Sequence, residues 1–184
     1  LISRFWDVDS GAVMVDGVDI RELGTEQLMS KLSMVFQDVY LFDDSLIANI
    51  RVGRPDASDE EVFRAADLSG VTSIANRLGW HTPVGEGGRL LSGGERQRVS
   101  VARALLKQAP IVLFDEATSA LDAENEANIL AAMDELREQS TFIVIAHKLD
   151  TIKSADQIVV LDEHGQVSQL GTHSELSDVP GIYR

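Results

Sequence analysis

Between Leu91 and Asp122 the sequence runs in a fixed order. A serine–glycine–glycine step opens a long amphipathic helix, Pro110 stands in the gap after it, and a four-residue apolar run, Ile111–Phe114, ends abruptly in Asp115-Glu116. Few folds accommodate that order. A short apolar run bounded by a proline and two acids reads as a strand of a buried parallel sheet. Acids at the C-terminal end of such a strand stand where open α/β sheets place their ligands.

The chemistry of each part points to phosphate and metal. Ser92-Gly93-Gly94 leaves backbone N–H groups unobstructed at the positive end of a helix dipole and adds a hydroxyl, which suits an anion. Asp115 offers a hard oxygen for Mg²⁺, an ion that keeps several waters and needs only one or two protein carboxylates. Glu116 is placed to orient or deprotonate a water. Each piece alone also reads as an ordinary helix cap or helix entry; the two in this order are a constellation.

Leu91-Ser92-Gly93-Gly94-Glu95 resembles the signature motif of ATP-binding cassette (ABC) ATPases, Ile111–Glu116 their Walker B segment with its catalytic glutamate, and Ser119–Asp122 their D-loop. The family's usual fifth signature residue is Gln. Glu95 in its place adds a negative charge near the phosphates and alters the local hydrogen bonding. The resemblance implies an α/β fold: a P-loop NTPase-like cassette with a mostly parallel core sheet, a small antiparallel β subdomain, and a helical subdomain inserted at about residues 45–100 of a partial ATPase domain spanning 1–184. The phosphate loop, G-x-x-x-x-G-K-S/T, and the strand before it are absent from the sequence. The reading of that absence is truncation ahead of Leu1, with Leu1–Trp6 as the tail of the helix after the loop. An open sheet edge beside Thr141–Ile145 and low stability of the isolated chain are then expected.

Ala12–Ile20 reads as two short strands about an Asp-Gly turn. Thr25 is expected to cap a short helix, and Leu32–Phe36 to be a strand. Phe36-Gln37-Asp38 after it resembles the family's Q-loop, which implies that the Gln37 amide reaches Mg²⁺. Tyr40, Leu41 and Phe42 follow in a loop. Three large apolar residues there either face a partner or pack under the next helix; the resemblance implies a surface for the transmembrane domain. Ser45–Ile50 reads as a short helix, and Ser58 with Asp59–Glu61 as a strong helix start. A second helix is expected over Val71–Leu78. The glycine-rich loop at Thr82–Arg89 resembles the X-loop of exporters, with Glu86 as its contact to the transmembrane partner.

On the helix after Ser92, the charges Glu95, Arg96, Arg98 and Arg103 are expected on a solvated face. Val99, Val101, Ala102, Leu105 and Leu106 are expected to form the buried stripe. Ala123–Glu138 reads as another helix and Thr141–Ile145 as a second buried strand. His147 resembles the family's H-loop histidine, which implies contact with the γ-phosphate. Ile158–Leu161 and Gln166–Leu170 read as strands, with Thr172 near the start of a last short helix. His81, His164 and His173 read as surface residues in turns, and four scattered histidines make no metal site.

The chain carries 30 acids against 16 bases, a net charge of −14, and no cysteine. That balance argues against nucleic acid as a partner. No apolar run approaches the ~18 residues of a membrane span.

The resemblance therefore implies ATP and Mg²⁺ as ligands and a second cassette as partner, in a homodimer or heterodimer on the cytoplasmic face of a membrane, the bacterial inner membrane being the expected one. Asp115 and Gln37 would hold the metal, and Glu116 and His147 would serve catalysis. Ser92, Gly93, Gly94, Glu95 and Asp122 would meet the nucleotide. The function so implied is the ATPase of an exporter. The alternatives are an inactive piece that lends only the signature half-site, or a soluble cassette ATPase.

Overall fold

In a computed structural model of the chain, which describes residues 1–115, 123–145 and 152–183, Asp16 and Gly17 take φ of 52° and 77°. Two consecutive positive φ values are what a two-residue hairpin turn needs. They join β1 (Met14–Val15) to antiparallel β2 (Val18–Asp19), with Val15 opposite Val18. The hairpin buries Val15 and Ile20 against Leu28 of α1 (Thr25–Lys31) and Leu32 of β3 (Leu32–Val35). Helix α1 is capped one residue earlier than expected. Gly24 is its N-cap, and the Gln27 side chain, not Thr25, closes the turn by accepting from the Gly24 N–H at 3.1 Å. Leu1–Trp6 is not helical. It turns once, the Arg4 N–H donating to the Leu1 carbonyl at 2.8 Å, and leaves Phe5 and Trp6 exposed.

The chain divides into two compact units, Leu1–Ile143 and Val144–Arg184. In the first, helices follow β3 in quick succession: α2 (Leu46–Arg51), α3 (Asp59–Leu68) and α4 (Thr72–Leu78). Ser58 and Glu61 form the reciprocal capping box expected of the sequence, Glu61 accepting from the Ser58 N–H at 2.9 Å. A short 3₁₀ turn at Glu86–Gly88 leads to α5 (Gly93–Lys107). The strands β4 (Ile111–Asp115) and β5 (Thr141–Ile145) flank α6 (Ala123–Gln139) in sequence.

Helix α5 packs on α2, α3, α6 and β3. It is therefore buried on more than the expected stripe: besides Val99, Val101, Ala102, Leu105 and Leu106, it buries Gln97, Arg98 and Ser100. The expected solvated face is thus corrected. Arg98 lies inside, its Nη1 donating to the Gly70 carbonyl (3.0 Å) and the Ser73 hydroxyl (3.2 Å). Arg103 points into the α2 side, its Nε donating to the Asn49 carbonyl at 2.7 Å. A guanidinium can be buried when carbonyls and hydroxyls meet its fork of donors. Helix α6 meets the core through Ile129, Ala132, Met133 and Leu136, the i, i+3, i+4, i+7 spacing of one helix face.

The sheet has the order β3-β4-β5. Strands β3 and β4 run parallel, Leu32 opposite Ile111 and Val35 opposite Phe114. Phe114 is fully buried, its ring 5.6 Å from that of Phe142. β5 is not the buried strand the sequence suggested. Among the described residues it lies at the edge of the sheet, the open edge expected beside Thr141–Ile145, and Ile143 and Ile145 are exposed there.

In the second unit β6 (Ile158–Leu161) pairs antiparallel with β7 (Val167–Gly171). Thr172 then caps α7 (His173–Ser177) in a box with Glu175. His173 opens this helix and does not sit in a turn. Its Nδ1 lies 2.8 Å from the Tyr183 hydroxyl.

Candidate nucleotide site

The parallel register decides which side chains share the end of the sheet. Val35 pairs with Phe114, so Phe36 is next in register to Asp115, and Gln37 follows one residue on. Two residues expected at one metal ion therefore leave adjacent strands at the same end. Gln97 of α5, buried, donates from Nε2 to the Phe36 carbonyl at 3.3 Å. It fastens the strand end from which Gln37 departs. The sequence reading passed over Gln97. The available signal was its place four residues before Val101, on the apolar stripe, where a polar side chain needs a partner. Asp115 is half-buried, and its carboxylate has no hydrogen-bond or ion-pair partner among the described residues. Its carboxylate and the Gln37 amide are hard oxygen donors of the kind Mg²⁺ takes, and that ion does not require the cluster of three acids or histidines which the described residues lack.

The start of α5 is a second element. Ser92 is its N-cap, with extended φ and ψ of −65° and 166°. Its hydroxyl oxygen accepts from the Glu95 N–H at 3.2 Å, and the Glu95 carboxylate accepts from the Ser92 N–H at 2.8 Å. The N–H groups of Gly93 and Gly94 are the first of the helix and have no intrahelical acceptor. A Cβ placed on Gly93 would meet nothing within 4 Å. The packing of the described residues therefore does not demand a glycine there, whereas close approach of a phosphate to the backbone would.

Glu95 resolves the departure from the usual glutamine. Its carboxylate is taken up by the capping box and by an ion pair with Arg77 of α4. Burial works against its ionisation, but the Ser92 N–H and the Arg77 guanidinium outweigh it and hold the Glu95 pKa below the usual carboxylate range. A depressed folded-state pKa adds stability above the unfolded value of about 4.5, and that stability disappears as pH falls through the lower folded value. Glu95→Gln should thus melt a few degrees below the parent at pH 7, and the gap should narrow as pH falls below the unfolded value of about 4.5. Calorimetry across pH 3–7 checks this.

A third element is the loop after Gln37. Tyr40 and Phe42 are exposed and meet edge to face at 5.8 Å between ring centroids. Leu41 between them is completely buried. The expectation that all three face a partner is therefore corrected for Leu41. Its side chain lies so close to Gly88 that a Cβ there would sit 2.8 Å from Leu41 Cδ1. The Val84 N–H donates to the Asp44 carbonyl at 2.9 Å, and Ser45 bridges to Pro83. The Tyr40–Phe42 loop and the Glu86 loop are thereby one neighbourhood, with Glu86 exposed beside it. Glu116, Asp122 and His147 lie outside the described residues.

The model of the ABC transporter family matches residues 1–119. ATP-dependent lipid A-core flippases are 45% identical in Neisseria meningitidis over 100% of this chain and 30% of that protein, 47% in Vibrio vulnificus over 100% and 32%, and 46% in Legionella pneumophila over 100% and 31%. The chain thus spans about a third of the length of these curated relatives. The solved structure of a bacterial Atm1-family ABC exporter with ATP bound superposes with a TM-score of 0.92, at 43% identity, over 99% of this chain and 32% of that one. With the parallel strand tips, the capped glycine start of α5 and these likenesses together, the chain belongs to the ABC transporter family.

Proposed function

We propose that this chain is the ATP-hydrolysing cassette of an exporter and works as one of a pair. Each ATP would lie between one cassette's phosphate loop and the other's Ser92, Gly93, Gly94 and Glu95, with Asp122 near the shared boundary. Residues 45–100 would act as the inserted helical subdomain. Asp115 and Gln37 would hold Mg²⁺, which supplies charge neutralisation on the phosphates. Glu116 accepts the proton of the attacking water, and His147 donates to the γ-phosphate. Tyr40, Phe42 and Glu86 would face the transmembrane domain, on the cytoplasmic side of a bacterial inner membrane. No helix among the described residues is long and apolar enough to cross a membrane itself. The relatives' names make a lipid A-core glycolipid the first substrate to try.

The observation that carries this reading is the open space over Gly93. Nothing among the described residues uses it, and it adjoins N–H donors with no intrahelical acceptor. Gly93→Ala separates fold from function. The alanine meets no neighbour, so it should stabilise the fold by about 0.4–1 kcal/mol. Its methyl group would stand between backbone and phosphate and slow hydrolysis by roughly 10- to 100-fold. Paired melting and ATPase assays on the whole transporter check it. Unchanged hydrolysis in the stabilised variant contradicts the reading.

A further inference from the structure

Arg103 makes more directed contacts than packing requires. Its Nε and Nη2 reach the Asn49 carbonyl and Asn49 Oδ1, both at 2.7 Å, and its Nη1 reaches the Tyr40 carbonyl at 3.0 Å. The guanidinium carbon stands 5.9 Å from the centre of the Phe42 ring. Asn49 is buried and completes the arrangement. Its Oδ1 accepts from the Phe42 N–H at 2.9 Å, and its Nδ2 lies within reach of the carbonyls of Phe42 (3.0 Å), Ser45 (3.1 Å) and Asp44 (3.3 Å). Two side chains therefore hold a loop that has no strand to hold it.

The α5 end of this arrangement is rigid. The turn after α2 approaches α5 so closely that a Cβ on Gly53 would lie 2.3 Å from the Arg103 carbonyl oxygen. The same helix begins at Ser92–Gly94 and grips the Phe36 carbonyl through Gln97. One rod thus carries the glycine start at its tip and the exposed aromatic pair on its flank. Burial pushes the Arg103 guanidinium down to about 10. A cation is retained at a desolvation cost where an apolar side chain would fill the space.

We propose that Arg103, through Asn49 and the Tyr40 carbonyl, is a positioning strut that locks the Tyr40/Phe42 surface to the helix bearing Ser92–Gly94, so that ATP-driven movement of that helix reaches the transmembrane domain. This rests on the exporter reading given above. Arg103 acts through the loop and touches none of the residues assigned to the nucleotide.

The chain has no cysteine, so Asp43→Cys places a single thiol of this domain in the exposed loop beside Phe42. In the whole transporter, cleared of other reactive thiols, its rate of maleimide labelling is measured with and without ATP and Mg²⁺. The strut predicts an ATP-dependent change in the parent. Arg103→Met and Arg103→Lys should each shrink that change by at least about fivefold, while the KM for ATP stays within about twofold. Lysine fails because one ammonium does not reproduce a fork set on three acceptors. It keeps the charge and stem, so it decides the matter should the methionine variant not fold. Labelling that responds to ATP equally in the lysine variant and the parent overturns the strut. So does a parent that hydrolyses ATP with no change in labelling. A parent that hydrolyses no ATP overturns the exporter reading first, and the ATPase assay on the same sample tells the two failures apart.

Discussion

Glu116→Gln is expected to lower the kcat for ATP hydrolysis by about 10²- to 10⁴-fold, the range a positioned general base supplies. The substitution keeps the size of the side chain and its ability to accept a hydrogen bond, but an amide does not take a proton from water. Asp115 stays at the end of β4, and Gln37 leaves the same end of adjacent β3, so metal and nucleotide binding should survive. A loss in kcat with little change in KM is the mark of a group needed in the transition state. Steady-state ATPase assays with a parallel ATP-binding measurement read both quantities. A fall of less than about tenfold assigns the water-activating role elsewhere.

Phe114→Ala carries the largest expected cost in stability. Phe114 is 2% exposed, and its ring packs against Phe142 at 5.6 Å. Removing a buried phenyl group from a packed core costs about 3–5 kcal/mol, because the loss of transfer energy is joined by the cavity left behind. Domains of this size hold only about 5–15 kcal/mol in all. The variant should therefore approach or cross the folding limit. Its urea midpoint should fall steeply with the slope of the transition unchanged. Activity should fall further than stability alone explains, since Phe114 is the residue before Asp115 and anchors the tip of β4. A midpoint shifted by less than about 1 kcal/mol equivalent contradicts the placement of Phe114 at the centre of the sheet.

Local signals in the chain were legible where the physics is local. The Asp16-Gly17 turn, the Ser58–Glu61 start and the strands at Leu32–Val35 and Ile111–Asp115 all stand where turn chemistry, capping and apolar runs put them. Other features needed the assembled fold. Leu41 resembles its aromatic neighbours in sequence, and only the approach of Gly88 draws it inside. Arg98 and Arg103 read as surface charges because periodicity carries no information about distant carbonyls. Gly70, Asn49 and Tyr40 supply the acceptors that allow them in. Thr25 is a good capping residue, yet Gly24 takes the cap, since the Gln27 side chain already reaches its N–H.

The site was legible as a set of motifs but not as a connected object. Nothing in the order of residues says that Gln97 holds the Phe36 carbonyl, or that Arg77 pairs with Glu95. Both contacts link separate elements, and the first joins residues 61 apart in the chain. With the reach of Arg103 to the Tyr40 carbonyl, they make the strand end before Gln37, the start of α5 and the Tyr40–Phe42 loop parts of one neighbourhood around α5.

The central claim is that ATP is held between the strand tips of one cassette and the glycine start of α5 in another. A structure of the whole transporter as its Glu116→Gln variant with ATP and Mg²⁺ tests it most directly. The account predicts Asp115 and Gln37 at the metal and, from the partner subunit, the Ser92 hydroxyl and Gly93 N–H at about 3 Å from γ-phosphate oxygens. ATP bound with the glycine start of α5 facing solvent, beyond hydrogen-bonding reach of any phosphate, would contradict it.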